Sequence, residues 1–435
     1  MIIGYLFIIL LVGIYNSSKS NSNEYIYASR KLTLPAFIAT FVTTWYGGIL
    51  EVGRFTYQNG IVTWFIFGFF YYISAFLFLK FFSYKIHNNN IDTIPEYFHK
   101  YFGYSSGLIA SFIILLISSP APYLMIFSTI FTYVYDISYF YSLLIGIFFS
   151  VSYIILGGFK SIIRTDKIQF ILMYFGFIIV FINLYMNFGG ITFLNNNLPH
   201  EHLSPISKLP IGYILSWSII SMITFIDPNI YQRIYTAKDK KTIKSGVLLS
   251  ILFWIIFDFL TVSVGLYAAA IIPQESLTHS PYLMISDIVL SPPLKIIFLI
   301  SLLSIVMSTI DSFTFTSAIT IAKEIKNHKT SIFNTRVGLI ITSFTSLIIA
   351  NSFKQVIDIW YLFGSIGASC LLIPFIKILH KPKTRIHYPL ATLLIPGILC
   401  IIWIYMKNPL GIDCLYVGVL TSIFMNFYFY RIKPS

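Results

Sequence analysis

Five carboxylates stand in or beside apolar stretches of this chain: Glu51, Asp166, Asp227, Asp258 and Asp311. An ionised carboxylate in hydrocarbon is costly unless it is paired or put to use, so each is a functional candidate. Asp166 and Asp227 fall beside charged turns, where helix capping or pairing with Arg164 or Arg233 is an equal alternative. For Glu51 the alternative is pairing with Arg54, three residues on. A second grouping is the hydroxyl-rich run SLLSIVMSTIDSFTFTSAIT, in which Ser308 and Thr309 are neighbours and Ile305 lies three residues before Ser308. Its carbonyl and the two hydroxyls can converge on one side of a helix and suit a small hard cation. Commonly such hydroxyls only bond the carbonyl four residues back. A third is LPAFIATFVTTWYGGILEVG, with Gly47 and Gly48 adjacent in mid-run. Each glycine costs a helix interior about 1 kcal/mol against alanine, so the pair marks a break. A break frees carbonyls, here those of Thr43 and Tyr46, at the depth where transporters bind cations. Close helix packing through small residues is the alternative.

Enzyme chemistry finds no foothold, since no nucleophile stands with a base. The eight His all fall in loops or at the ends of apolar runs, among them His200, His202, His380 and His387, so no buried metal site and no membrane-embedded His base is expected. Cys370, Cys400 and Cys414 lie in or next to apolar runs and suggest no disulfide framework.

The elements that must position these groups are membrane helices. Charged residues make up only 10% of the 435 residues and hydrophobic ones 57%, against about 25% charged in ordinary soluble chains. Runs near the length needed to cross a bilayer predict spans at about 1–15, 34–57, 61–84, 107–134, 138–156, 167–188 and 211–228. Further spans follow at about 243–271, 293–322, 335–352, 356–379, 388–406 and 412–430. The fold class is an all-α integral membrane protein of about 13 transmembrane helices. The first run lacks a basic leader and a small-residue cleavage site, so it reads as an anchored helix and not a signal peptide.

The net charge of +13 would suit nucleic acid in a soluble protein, but its placement points to a bilayer. Of the 29 Lys and Arg, 24 fall on one set of alternate loops, and only Arg54, Lys208, Lys295, Lys354 and Lys407 on the other. This is the positive-inside asymmetry, which predicts an outside N-terminus and a cytoplasmic C-terminus. The longest loops, roughly 189–210 and 229–242, are too short for a further domain, so residues 1–435 read as one membrane domain. With the first helix peripheral, 34–188 and 211–379 form two groups of five helices of opposite orientation, the pattern of an inverted repeat.

The motifs resemble those of the sodium:solute symporter family. GGFKSIIRTDKIQF matches its Gly-Gly and Thr-Asp-x-x-Gln pattern opening the fifth core helix, and DPNIYQRIYTAKDKK its Gln-Arg loop after the sixth. STIDS matches the signature of the eighth, while ASRKLTLPAF and GGILEVG match the entry and break of the first. The resemblance implies a leucine-transporter-type fold with sodium and substrate near the midplane. It puts the shared sodium site on the carbonyls of Thr43, Tyr46 and Ile305 and the hydroxyls of Ser308 and Thr309. A second cation or coupling site falls on Asp166 and Ser312, with Asp311 adding a carboxylate. Substrate contacts fall on Trp45, Gly47, Gly48, Ile220 and Thr224, and Glu51, unusual among characterised carriers, is a further candidate to meet a cationic substrate group or a proton. The chain departs from the proline carriers at Trp45, Ile220 and Thr224 and from the sugar carriers at Ile220 and Ile223, so neither solute is assigned.

The function expected is secondary active transport, with sodium entering down its gradient and carrying a small organic solute by alternating access. The partners are sodium, that solute and the lipid of a cell membrane, the bacterial inner membrane; no nucleic acid or obligate protein partner is expected. The alternative is a transporter-like membrane sensor without net transport. Such sensors continue into long cytoplasmic domains, whereas this sequence stops soon after its last apolar run.

Overall fold

A computed structural model of the chain describes residues 1–15, 21–88, 91–206, 208–325, 331–380 and 388–431. Lys19, Lys326, Lys329, Lys381, Lys383, Arg385 and Lys433, counted in the charge pattern, and His387 lie outside the described residues. The described residues form helices, with one isolated bridge between Leu32 and Ala237 as their only β pairing. Hydrocarbon offers backbone amides no partner, so a spanning segment must satisfy them within its own helix.

Among the described residues, eight helical stretches are long and apolar enough to cross a bilayer: Val62–His87, Tyr104–Tyr135, Tyr139–Phe188, Ile211–Thr236, Lys240–Ile271, Pro292–Ile325, Ile332–Ser352 and Val356–His380. Shorter apolar helices accompany them at Ile2–Ile14, Leu34–Thr43, Pro389–Tyr405 and Cys414–Phe429. Pro292–Ile325 is the axis of the molecule. Every residue from 301 to 312 is buried, hydroxyls included, as expected of a helix surrounded by other helices.

Three expectations about boundaries are corrected. First, no loop separates the predicted spans 138–156 and 167–188. Helix runs from Tyr139 to Phe188, interrupted only where Gly158 adopts φ 58° and ψ −144°. A Cβ there would sit 2.2 Å from the Tyr25 carbonyl oxygen, so both the positive φ and the close approach at this kink require glycine. Lys160, Arg164 and Asp166 are therefore helical, and Asp166 is fully buried. Second, the expected loop 229–242 contains the helix Pro228–Thr236, and Lys240–Ile271 starts soon after it. Arg233, counted above as a cytoplasmic surface charge, is only 1% exposed on that helix.

Third, segments read as connectors carry short helices, among them Ser22–Tyr27, Ile94–Phe102 and Pro281–Val289. Ile94–Phe102 is started by a Thr93–Glu96 capping box and by Pro95 in its first turn, and it buries Ile94, Tyr97, Phe98 and Phe102. It is too short and too polar to register as a span. Lys323, at the end of the central helix, holds this segment through Asp92 at 3.2 Å and Glu96 at 3.0 Å. The N-terminal helix Ile2–Ile14 packs against Tyr139–Phe188, where Ser161 Oγ donates to the Gly13 carbonyl at 2.6 Å.

Candidate functional site

Two helices break at the centre of the molecule. Leu34–Thr43 ends, residues 44–48 leave the helix, and Ile49–Asn59 resumes. Ile211–Ser221 tightens into a 3₁₀ turn over Met222–Ile226. Asp227 is then extended (φ −85°, ψ 114°) and Pro228–Thr236 resumes. Asp227 Oδ1 caps the resumed helix, accepting from the Asn229 N–H at 2.8 Å, with Pro228 in the first turn where its missing N–H costs nothing.

Against the first break lies the hydroxyl face of the central helix. Thr309 Oγ1 stands 3.3 Å from the Thr43 carbonyl oxygen and 3.2 Å from that of Ile305. Three of the five oxygens expected to hold sodium thus converge on one point. Tyr46 lies in the broken segment, its hydroxyl donating to the Trp254 carbonyl at 3.0 Å. Ser308 turns the other way, donating to Asp166 Oδ1 at 2.6 Å.

Asp166 leads to a buried network. Its Oδ2 lies 3.9 Å from Nη2 of Arg233, and both side chains are at most 1% exposed. The same Nη2 donates to Thr40 at 2.9 Å, Thr44 at 2.7 Å and Ser312 at 2.6 Å. One guanidinium therefore ties both broken helices to the central one. Two buried charges are tolerated only with partners of this kind, and removing one leaves the other uncompensated. Asp311 is fully buried but turns toward Tyr153, whose hydroxyl donates to its Oδ2. The three groups expected at a second cation site thus divide: Ser312 and Asp166 meet at Arg233, and Asp311 stands apart beside Tyr153.

Several oxygens here are buried without a hydrogen-bond partner: Asp166 Oδ2, Asp311 Oδ1, Gln169 Oε1 and the hydroxyls of Ser150 and Tyr5. Native proteins leave few buried polar atoms unpaired, and anionic and neutral oxygens in want of a partner fit a hard cation or water. The donor set is compatible with sodium. Gln169 follows Asp166 by one helical turn, a spacing already visible in the Thr-Asp-x-x-Gln motif.

Between the two breaks is a cavity of about 160 Å³. Of the expected substrate residues, Trp45, Gly48, Ile220 and Thr224 line it. Gly47 instead packs against Thr309, where a Cβ would come within 2.5 Å of the threonine Cβ. Glu51 pairs with Arg54 at 2.9 Å and lines a separate cavity of about 460 Å³, together with Lys354 and His279. Sequence reasoning missed the rest of the wall, notably Tyr71, Tyr123, Trp217 and Trp360, because aromatic residues are plentiful throughout the chain. It also missed Arg233 as an internal counter-charge, and Asp227 and Asp258 as cavity residues.

The fold resembles that of a substrate-bound, outward-open sodium-coupled sialic acid symporter, with a TM-score of 0.81 at 16% identity over 100% of this chain and 97% of that one. It also resembles a nucleobase-cation-symport-1 family transporter in a closed conformation with bromovinylhydantoin bound, with a TM-score of 0.64 at 12% identity over 97% of both chains. In sequence the chain is 28% identical to a sodium/pantothenate symporter of Haemophilus influenzae over 56% of its own length. It spans about half, 54%, of that protein. It is 23% identical to a sodium/proline symporter of the same organism, over 74% of this chain and 69% of that protein. The sodium:solute symporter family model matches residues 25–376, and the chain belongs to this family of transporters, which is not a family of enzymes.

Proposed function

We propose that the chain carries sodium and a small organic solute together into the cell by alternating access. The carrying observation is the meeting of Thr43, Ile305 and Thr309 oxygens at the first helix break, whose next residues, Thr44, Trp45 and Tyr46, line a cavity of about 160 Å³. Sodium held there, with the Tyr46 carbonyl and Ser308 hydroxyl completing the set, joins a broken helix to the central helix. Occupancy then biases their relative position, and through it the cavity. Such coupling is reciprocal: sodium raises solute affinity by the factor by which solute raises sodium affinity. Asp166, Ser312 and Asp311 form the second cation or coupling site in this reading. The inverted repeats run over 34–188 and 211–379 within one membrane domain of thirteen spans. The N-terminus is outside and the C-terminus cytoplasmic, in the inner membrane of a bacterium.

The test is thermal stability of the purified chain with a panel of amino acids, carboxylates and nucleobases, each in sodium and in potassium. A ligand that binds only the folded state raises apparent stability by mass action. Solute stabilisation that needs sodium is expected. A solute that stabilises equally in potassium would overturn the coupling.

A further inference from the structure

Resting on the symport reading, we propose that the solute carries a positively charged nitrogen, seated between the aromatic wall of the central cavity and the carboxylate of Asp227.

The cavity is aromatic on two sides. Trp45 stands edge-on to Tyr71 at 4.7 Å between ring centroids, and Tyr123 lies 6.3 Å from Trp360. Two carboxylates, Asp227 and Asp258, complete its wall, and among the described lining residues there is no Lys, Arg or His. Asp227 is half-buried at the second break, and only its Oδ1 is engaged, by the Asn229 backbone and side-chain amides at 2.8 and 3.1 Å. Asp258 is 6% exposed and accepts from the Tyr72 hydroxyl. No Lys, Arg or His lies within ion-pairing distance of either carboxylate among the described residues.

The cation nearest to hand along the chain is Arg233, a turn and a half beyond Asp227, and its Nη2 is taken by Thr40, Thr44, Ser312 and Asp166. The sodium proposed at the first break is held by neutral oxygens, and Thr43, Ile305 and Thr309 are not among the residues that line the cavity. Arg233 acts on Asp227 only from a distance, with no ion pair between them, so a cation in the cavity would be the first counter-charge in direct contact with either carboxylate. Electron-rich ring faces attract the same charge and favour an alkylated ammonium, whose methyl groups need no hydrogen bonds. An anion would face two carboxylates, and a neutral polyol would leave both uncompensated.

The experiment measures binding to the purified full chain, by thermal shift and by competition, in sodium and in potassium. The probes are choline, glycine betaine, proline, pantothenate, glucose, and dimethylbutanol, the uncharged carbon isostere of choline. At least one ammonium compound should bind in sodium. If it is choline, it should bind at least about tenfold more tightly than dimethylbutanol. Asp227→Asn keeps the helix cap, since asparagine caps as well as aspartate. It should weaken the ammonium compound about tenfold and leave the stabilisation by sodium alone unchanged. Absence of binding by every ammonium compound overturns the inference, as does equal affinity of choline and dimethylbutanol where choline is the ligand. An Asp227→Asn protein that loses its response to sodium alone also overturns it, by making Asp227 a sodium ligand. The two readings fail separately. Sodium-dependent binding of pantothenate or glucose alone sinks this inference and leaves symport standing, whereas ammonium binding indifferent to sodium does the reverse.

Discussion

The two helix breaks that frame the cavity are made by different chemistry. The first carries Gly47 and Gly48, yet neither has a positive φ, so the glycines are not there for a backbone conformation closed to other residues. What they supply is room. A Cβ on Gly47 would lie 2.5 Å from Cβ of Thr309, and one on Gly48 1.9 Å from the Trp360 ring. The second break has no glycine. A 3₁₀ turn, the extended Asp227 and Pro228 redirect the backbone, and a side-chain cap restarts the helix. One break is a cleft opened for partner side chains, and the other is a turn imposed by the chain itself. Weak helix propensity and close packing, set out above as alternatives for the glycine pair, act together.

That contrast makes substitutions at the first break the more damaging. Gly47→Val should reduce sodium-dependent uptake to background while surface labelling still finds the protein in the membrane, because Thr309 and Tyr123 cannot both move aside. Uptake near the wild-type rate would show that room is not what the glycine provides.

Asp166→Asn tests the network joining the breaks. It removes the carboxylate nearest to the buried Arg233, and uptake into vesicles with sodium outside should fall about a hundredfold, the equivalent of roughly 2.7 kcal/mol. Unchanged uptake would reduce Asp166 to a packing residue.

Removing the Thr309 hydroxyl at the first break together with the Ser308 hydroxyl that donates to Asp166, in Ser308→Ala with Thr309→Val, barely changes volume. Sodium affinity should fall about tenfold, near 1.4 kcal/mol, while solute binding measured without sodium stays put. A double variant with the parental sodium dependence would mean the two hydroxyls are packing and hydrogen-bonding groups and not sodium ligands.

The smallest effect is expected at the second break. Pro228→Ala leaves the Asp227 cap in place, so uptake should stay within about threefold of the parent and the melting temperature should drop only slightly. A loss matching that of Gly47→Val would erase the distinction between the two breaks.

The first break and the hydroxyl run were readable because each signal is local: two adjacent glycines in an apolar run, and serine and threonine at helical spacing. The second break left its own local mark, the Asp-Pro pair, but its polar neighbours Asn229, Gln232 and Arg233 made the following turn look like a loop. The structure buries all three. Hydropathy averages over a window and cannot register a polar helix whose partners come from distant segments. The fully buried Asp166 was misplaced toward a loop for the same reason, with Lys160, Arg164 and Lys167 beside it in sequence.

By itself the sequence determined that the chain lies in a membrane, where its apolar runs fall, that Gly47–Gly48 is a weak point or a close-packing point in one of them, and which family its motifs resemble. These depend on composition and on neighbours a few residues apart, which any bilayer reads in the same way. Only the tertiary structure decided that Arg233 answers Asp166, that Asp311 faces Tyr153, and that Asp227 and Asp258 look into an aromatic hollow. A buried charge takes its partner from whatever the packed helices bring within a few ångströms, and hydrophobic periodicity does not encode which helices those are.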